Sequence, residues 1–163
     1  MKTLIIDPSS TVCGWSIMAD ARIMAYGDID VSKSEYADRF PHIVEALRVV
    51  YQHYPDISQI VMEKPVLISY RDKHGKSQRR DNSALRVACR AIKGWAKTIK
   101  TPVFEVHPST WKSQLIGYAN CDKDMVRQYI ESRYPKLPKG VSEHVIDAIA
   151  MGCYYHKLRQ LEG

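Results

Sequence analysis

No apolar run in this sequence approaches the roughly 20 residues that a bilayer-spanning helix needs. The short apolar opening Leu4-Ile5-Ile6 also lacks the basic flank and apolar core of a secretory leader. A cytosolic chain with no membrane partner is therefore expected. Cysteine is sparse: Cys13, Cys89, Cys121 and Cys153 form no C-x-x-C pair and no Cys/His cluster at zinc spacing. That argues against zinc-finger and disulfide scaffolds and leaves buried, reduced thiols. Glycine and proline, 8 of each, are too few for a collagenous or low-complexity chain. An acidic excess is missing as well, since 24 Lys and Arg against 18 Asp and Glu leave a net charge of +6. That balance leans toward an anionic partner such as nucleic acid, because each cation placed on a phosphate releases a condensed counterion. With 45% hydrophobic and 26% charged residues over 163 positions, what remains is an ordinary globular chain, expected to form one domain over residues 1–163.

Along the chain, Thr3 to Ile6 is a short apolar strand stopped by the turn formers Asp7-Pro8-Ser9-Ser10. Gly14 to Ala19 and Ile23 to Val31 follow as two more strands, the second marked by apolar or small residues at alternate positions, and the three together suggest an antiparallel meander. Tyr36, Phe40, Ile43, Val44, Leu47, Val50 and Tyr51 recur at helical spacing, although Pro41 sets the expected start of the regular helix near itself. Ser58 to Met62 reads as a buried strand ended by Glu63-Lys64-Pro65. After a polar, basic stretch expected to be a flexible loop, a helix begins at about Asn82. Pro102 to Val106 is a short strand, and Pro108 is placed to open a helix that Gly117 ends. Asp122 caps the next helix, and Ser142 or a neighbour starts the last, with Val145, Ile149 and Cys153 on one face and His144 and Asp147 together on another. This order predicts an α/β mixed sheet flanked by helices.

Two carboxylates, Asp7 and Glu63, thus end strands, and Asp147 sits in an apolar helical run, Ala148-Ile149-Ala150-Met151, where an unpaired charge is costly. Taken singly, each reads more readily as a turn former or a solvated side chain. Together they describe the hard-oxygen set that divalent metals require for phosphodiester hydrolysis. At a separation of about 5 Å each pair would repel by roughly 3 kcal/mol at an effective dielectric near 20, so such a cluster calls for cations. His144, one turn before Asp147, suits a metal ligand or a base for the attacking water. Glu143 points elsewhere on the helix and is expected to be solvated.

These residues resemble the RuvC family of Holliday junction resolvases. Ile5-Ile6-Asp7-Pro8-Ser9-Ser10-Thr11-Val12-Cys13-Gly14 is similar to the family's first motif, with Ser9 in place of its first glycine and Gly14 at its second. Val61-Met62-Glu63-Lys64-Pro65 resembles the strand that delivers the second acidic ligand, and His144-Val145-Ile146-Asp147-Ala148-Ile149-Ala150 resembles the closing motif. Pro108-Ser109-Thr110-Trp111-Lys112 and Gly117 to Lys123 are similar to the segment that holds two catalytic lysines, which carry over to Lys112 and Lys123. The resemblance implies an RNase H-like fold and a homodimer with two sites facing one four-way junction. It also implies paired nicks made with magnesium or manganese, two ions per site, held by Asp7, Glu63, His144 and Asp147.

The stretch from Tyr70 to Arg80 carries Arg71, Lys73, Lys76, Arg79 and Arg80 against Asp72 directly after Glu63, which suits phosphate contacts near the cut. The family's loop bears an aromatic residue that stacks at the junction centre, a role that falls to Tyr70 here. Three other readings stay open on sequence: a relaxed nuclease for forks, flaps and three-way DNA, such as a viral member would use; a junction-binding protein without activity; and an actin-like phosphotransferase. The last is disfavoured by the absence of a second glycine-rich phosphate loop.

Overall fold

The computed structural model of the chain describes residues 1–66, 69–71, 74–75, 77–79 and 82–163, with backbone alone for 69–71 and 77–79. Strand β1 (Lys2–Asp7) alternates its side chains across the sheet, as period-two geometry requires. Leu4 and Ile6 enter one core while Ile5 enters the other. β2 (Val12–Ala19) and β3 (Arg22–Asp30) complete the expected antiparallel meander. A register shift between Ile17 and Met18 leaves Met24 as the extra residue of β3, so Ile23 packs with one core and Ala25 with the other.

Helix α1 (Tyr36–His53) starts five residues before Pro41, not at it. The first turn is held without that proline's missing N–H. Asp38 N–H donates to the Glu35 carbonyl, and the rings of Tyr36 and Phe40 meet edge to face at 5.2 Å. β4 (Ile57–Glu63) then pairs parallel to β1. The basic stretch that follows is not structureless: β5 (Ser69–Arg71) and β6 (Ser77–Arg79) form an antiparallel hairpin with Tyr70 opposite Gln78. Gly75, at φ +74°, lies in the connection between them, a backbone conformation that glycine adopts without penalty. Lys73, Lys76 and Arg80 lie outside the described residues, and so do the side chains of Tyr70, Arg71 and Arg79.

Helix α2 (Ser83–Thr98) returns across α1, and β7 (Val103–Val106) adds to β4 in parallel. The five-stranded sheet has the order β3-β2-β1-β4-β7. Helices α3 (Pro108–Leu115), α4 (Lys123–Arg133) and α5 (Glu143–Glu162) cover the opposite face. Their starts follow the local chemistry of the chain. Pro108 occupies the first turn of α3, Asp122 accepts from Met125 N–H at 2.9 Å, and Ser142 Oγ accepts from Val145 N–H at 3.2 Å. Gly117, at φ +107°, turns the chain away after α3.

One core lies between the sheet and α1 and α2, around Leu4, Ile6, Leu47, Ile60 and Ile92; the other lies between the sheet and α3 to α5, around Ile5, Val61, Trp111, Ile130 and Ile149. α5 rests on β1 and β2 beneath α3 and α4, which explains its almost unbroken buried run from Val145 to His156. Gly152 lets this helix settle, because a methyl group there would collide with Met18 and crowd Ile5. Among the described residues no helix is long and apolar enough to cross a membrane. The architecture is an RNase H-like mixed sheet flanked by helices.

Candidate active site

Parallel pairing of β1, β4 and β7 puts the carboxyl ends of all three strands at one pole of the sheet, the place where open α/β sheets bind their ligands. Asp7 ends β1 and Glu63 ends β4, so the two predicted strand-end acids emerge side by side. Two further elements begin at the same pole. Val106, the partner of Glu63, leads through His107 into α3, bringing Trp111 and Lys112 over Glu63. Gly14, the partner of Asp7, lies against the His144 backbone at the start of α5, bringing His144 and Asp147 over Asp7.

The contacts among these groups are specific. His144 Nδ1 lies 3.6 Å from Asp7 Oδ2, with His144 partly exposed and Asp7 more deeply set. The Trp111 indole N–H donates to Glu63 Oε2 at 2.8 Å, and the Lys112 ammonium sits 5.4 Å from the centre of the Trp111 ring. Lys123 Nζ pairs with Glu143 Oε1 at 2.6 Å. Glu143 is exposed, as expected, and is also the partner of one of the two predicted lysines. Trp111 is the other residue whose part at this pole the sequence reading did not assign. Its only signal was position, directly before Lys112.

The electrostatics tie the acids into one field. Burial raises the Asp7 pKa, with His144, Lys123 and Lys112 opposing. Burial pushes Glu63 up to about 7, reinforced by the charge of Asp7 and opposed by the Trp111 hydrogen bond. Asp147 is pushed up to about 6 by burial and again by Asp7, with Lys123 and Lys112 opposing. Each of the latter two acids therefore feels Asp7, and the lysines oppose the shifts of the acids. The contact with Asp7 outweighs burial at His144 and raises its pKa. At Lys123 burial works against the ammonium, but Glu143, Asp147 and Asp7 outweigh it and raise the pKa.

The donors are hard oxygens with one imidazole, the type that magnesium and manganese take, and their raised proton affinities mark a site short of positive charge. Among the described residues no three His, Cys, Asp or Glu side chains close on one ion position. Asp7 faces His144, and Glu63 is held by Trp111. The set fits divalent cations in chemistry and location, with side-chain adjustment as its remaining need. The predicted DNA contacts Tyr70, Arg71 and Arg79 fall on the hairpin that follows β4, and Lys73, Lys76 and Arg80 lie outside the described residues.

No curated protein matches the chain by sequence. Among solved structures, RuvC of Thermus thermophilus superposes with a TM-score of 0.78 at 18% identity, over 98% of this chain and 96% of that one. The same organism's RuvC in complex with Holliday junction substrate gives 0.76, with the same identity and coverage. The fowlpox virus Holliday junction resolvase gives 0.53 at 14% identity, over 98% of this chain and 99% of that one. At these identities the likeness speaks for the fold. The family model described as crossover junction endodeoxyribonuclease RuvC matches residues 3–155, nearly the whole sequence with all four acidic and histidine positions inside the match. The chain belongs to the RuvC family of crossover junction endodeoxyribonucleases.

Proposed function

We propose that this protein, a single domain over residues 1–163, resolves four-way DNA junctions by paired, symmetric nicks in which water attacks a phosphodiester. The observation that carries the reading is the convergence of Asp7, Glu63, His144 and Asp147 at the carboxyl pole of the sheet, with Lys112 and Lys123 in the same field. Divalent magnesium or manganese, two ions per site, would supply water activation and neutralise charge at the phosphate.

The chain's own groups do the rest. Asp7, Glu63 and Asp147 hold the ions. His144 completes the set, either as a ligand through a neutral ring nitrogen or as the acceptor of the water's proton. Lys112 and Lys123 present positive charge to the phosphate as negative charge builds on its oxygens. The basic residues of the stretch between β4 and α2, Arg71, Lys73, Lys76, Arg79 and Arg80, would contact the DNA backbone, and Tyr70 would stack on an unpaired base.

A homodimer matches the near two-fold symmetry of a four-way junction and would present identical sites to two strands. The four cysteines, all buried and unpaired, fit a reducing compartment such as the cytoplasm.

The test is a magnesium-dependent cleavage assay on an immobile four-way junction beside Y-shaped, flap and linear duplex DNA. Paired nicks in the four-way substrate are expected. Comparable cutting of Y-shaped and flap DNA would make the enzyme a relaxed branched-DNA nuclease, and comparable cutting of linear duplex would defeat both versions.

A further inference from the structure

We propose that Trp111 is a positioning residue for the metal-holding carboxylate Glu63, fixing its orientation through the indole N–H and holding Lys112 beside it through the ring face. The inference rests on the reading of Glu63 as a metal ligand.

Trp111 is fully buried, and a buried indole N–H needs an acceptor. Its acceptor is Glu63 Oε2 at 2.8 Å, a hydrogen bond to a group able to carry charge, and such bonds are among the stronger ones. Among the described residues none hydrogen-bonds to Oε1, the oxygen that would be offered to an ion. Both ends of this contact are anchored in rigid elements. Glu63 is in register with Val106 across the β4–β7 pair, and Lys64 N–H donates to the Val106 carbonyl at 2.7 Å. One residue further on, His107 caps α3: its Nδ1 meets Ser109 Oγ at 2.7 Å, and its carbonyl accepts from Trp111 N–H at 3.2 Å. The path from Glu63 to the indole therefore runs through paired strands and a capped helix start. The outer partner of a metal ligand acts in this way, by removing rotamers that face away from the ion. The second contact is made by the face of the same ring, 5.4 Å from the Lys112 ammonium, a cation–π arrangement that keeps a cation beside the acid.

A tryptophan that merely filled the core would be replaced by phenylalanine with little change in metal binding. Trp111→Phe keeps most of the ring volume and removes the N–H. Calorimetric titration of the full chain with Mn²⁺ is expected to show affinity lowered by about tenfold, the lower end of what loss of an outer partner does. Cleavage of the four-way junction should fall by a similar factor in kcat, recover at high metal concentration, and leave the Kd for junction DNA unchanged. Glu63→Gln should lose cutting at every metal concentration. A folded Trp111→Phe protein that titrates Mn²⁺ as the unaltered protein does, while Glu63→Gln fails, would overturn the role of Trp111 alone. A Glu63→Gln protein that binds metal and cuts normally would remove Glu63 from the site, and Trp111 with it.

The unaltered chain provides a measurement that needs no Trp111 variant. It has 3 tryptophans, so Trp15→Phe and Trp95→Phe assign the remaining indole N–H resonance in a ¹⁵N-labelled sample. That resonance should move on addition of Mg²⁺ with the midpoint of metal binding. An unmoved resonance at saturating Mg²⁺ would overturn the proposal.

Discussion

Gly14 of β2 lies so close to the His144 backbone that a methyl group in its place would collide with the His144 carbonyl group and stand 2.7 Å from the His144 Cβ. The hydrogen of Gly14 is the spacing that lets the start of α5 descend onto the end of β1, where Asp7 waits. Gly14→Ala is therefore expected to push the first turn of α5 away from the sheet. A loss of about 1–3 kcal/mol is the usual range for overpacking of this kind. Junction cleavage should fall much further than stability, because the displaced turn carries His144 and Asp147. Denaturant unfolding and single-turnover cleavage measured on one preparation check both parts. Full activity in a protein with lowered stability would show that the approach of α5 does not set the site.

The raised pKa of Glu63 makes the stability of the metal-free fold depend on pH. Below its ordinary value of 4.5 the acid is protonated in both folded and unfolded chains and contributes no difference. Between 4.5 and about 7 the unfolded chain releases its proton first, so the metal-free fold loses stability as pH rises through that window. Glu63→Gln removes the titration. It should match the unaltered protein near pH 4 and exceed it by roughly 1–3 kcal/mol near pH 8 in the presence of a chelator. Saturating magnesium should narrow or reverse the difference, since ions that bind only the folded protein stabilise it. Urea unfolding at the two pH values, with and without Mg²⁺, reads all of this. An advantage that shrinks with rising pH would contradict the electrostatic account.

Asp7 is the charge that both Glu63 and Asp147 feel, which makes it the centre of the set. Asp7→Asn should leave junction binding in place, because the proposed phosphate contacts come from the basic residues, and should abolish detectable cutting. Ligand loss removes several kcal/mol of charge stabilisation, at least about a hundredfold in rate. Gel-shift binding in Ca²⁺ beside cleavage in Mg²⁺ separates the two. Preserved cutting would take Asp7 out of the mechanism.

These predictions stand on features with different visibility in the sequence. Asp7 and Glu63 were legible because an apolar strand followed by turn formers fixes where the strand ends, and parallel pairing then aligns those ends. His144 and Asp147 were legible because three-residue spacing on a helix is local geometry. The pairing of Lys123 with Glu143 was not, since it joins the starts of two helices whose relative placement is a tertiary outcome. The direction of the Trp111 indole was hidden for the same reason: the sequence placed it on a helix, and only the capped turn after β7 aims it at Glu63. Pro41 misled in a different way. A proline argues against a helix by removing one hydrogen bond, and here the Tyr36–Phe40 ring contact accompanies a first turn that forms before it.

The hairpin between β4 and α2 leads to the last prediction, because its charges and the site's charges should separate in a salt titration. Every cation that neutralises a phosphate releases counterions and adds about 0.9 to the slope of log affinity against log salt on duplex arms. Substituting Arg71, Lys73, Lys76, Arg79 or Arg80 singly with alanine should therefore lower that slope by up to about 0.9 each, with weaker binding at physiological salt. The cleavage rate of saturated enzyme should hardly change, since the role proposed for these residues is to grip the backbone away from the reacting bond. Lys112 and Lys123 should behave in the opposite way: near the acids and partly engaged by Trp111 and Glu143, they should leave the slope almost as it was and depress the saturated rate. Fluorescence-anisotropy titrations over a series of salt concentrations, paired with single-turnover rates, place each cation in one class or the other. A hairpin variant that keeps its salt slope and loses its rate would move that residue from the DNA grip into the chemistry.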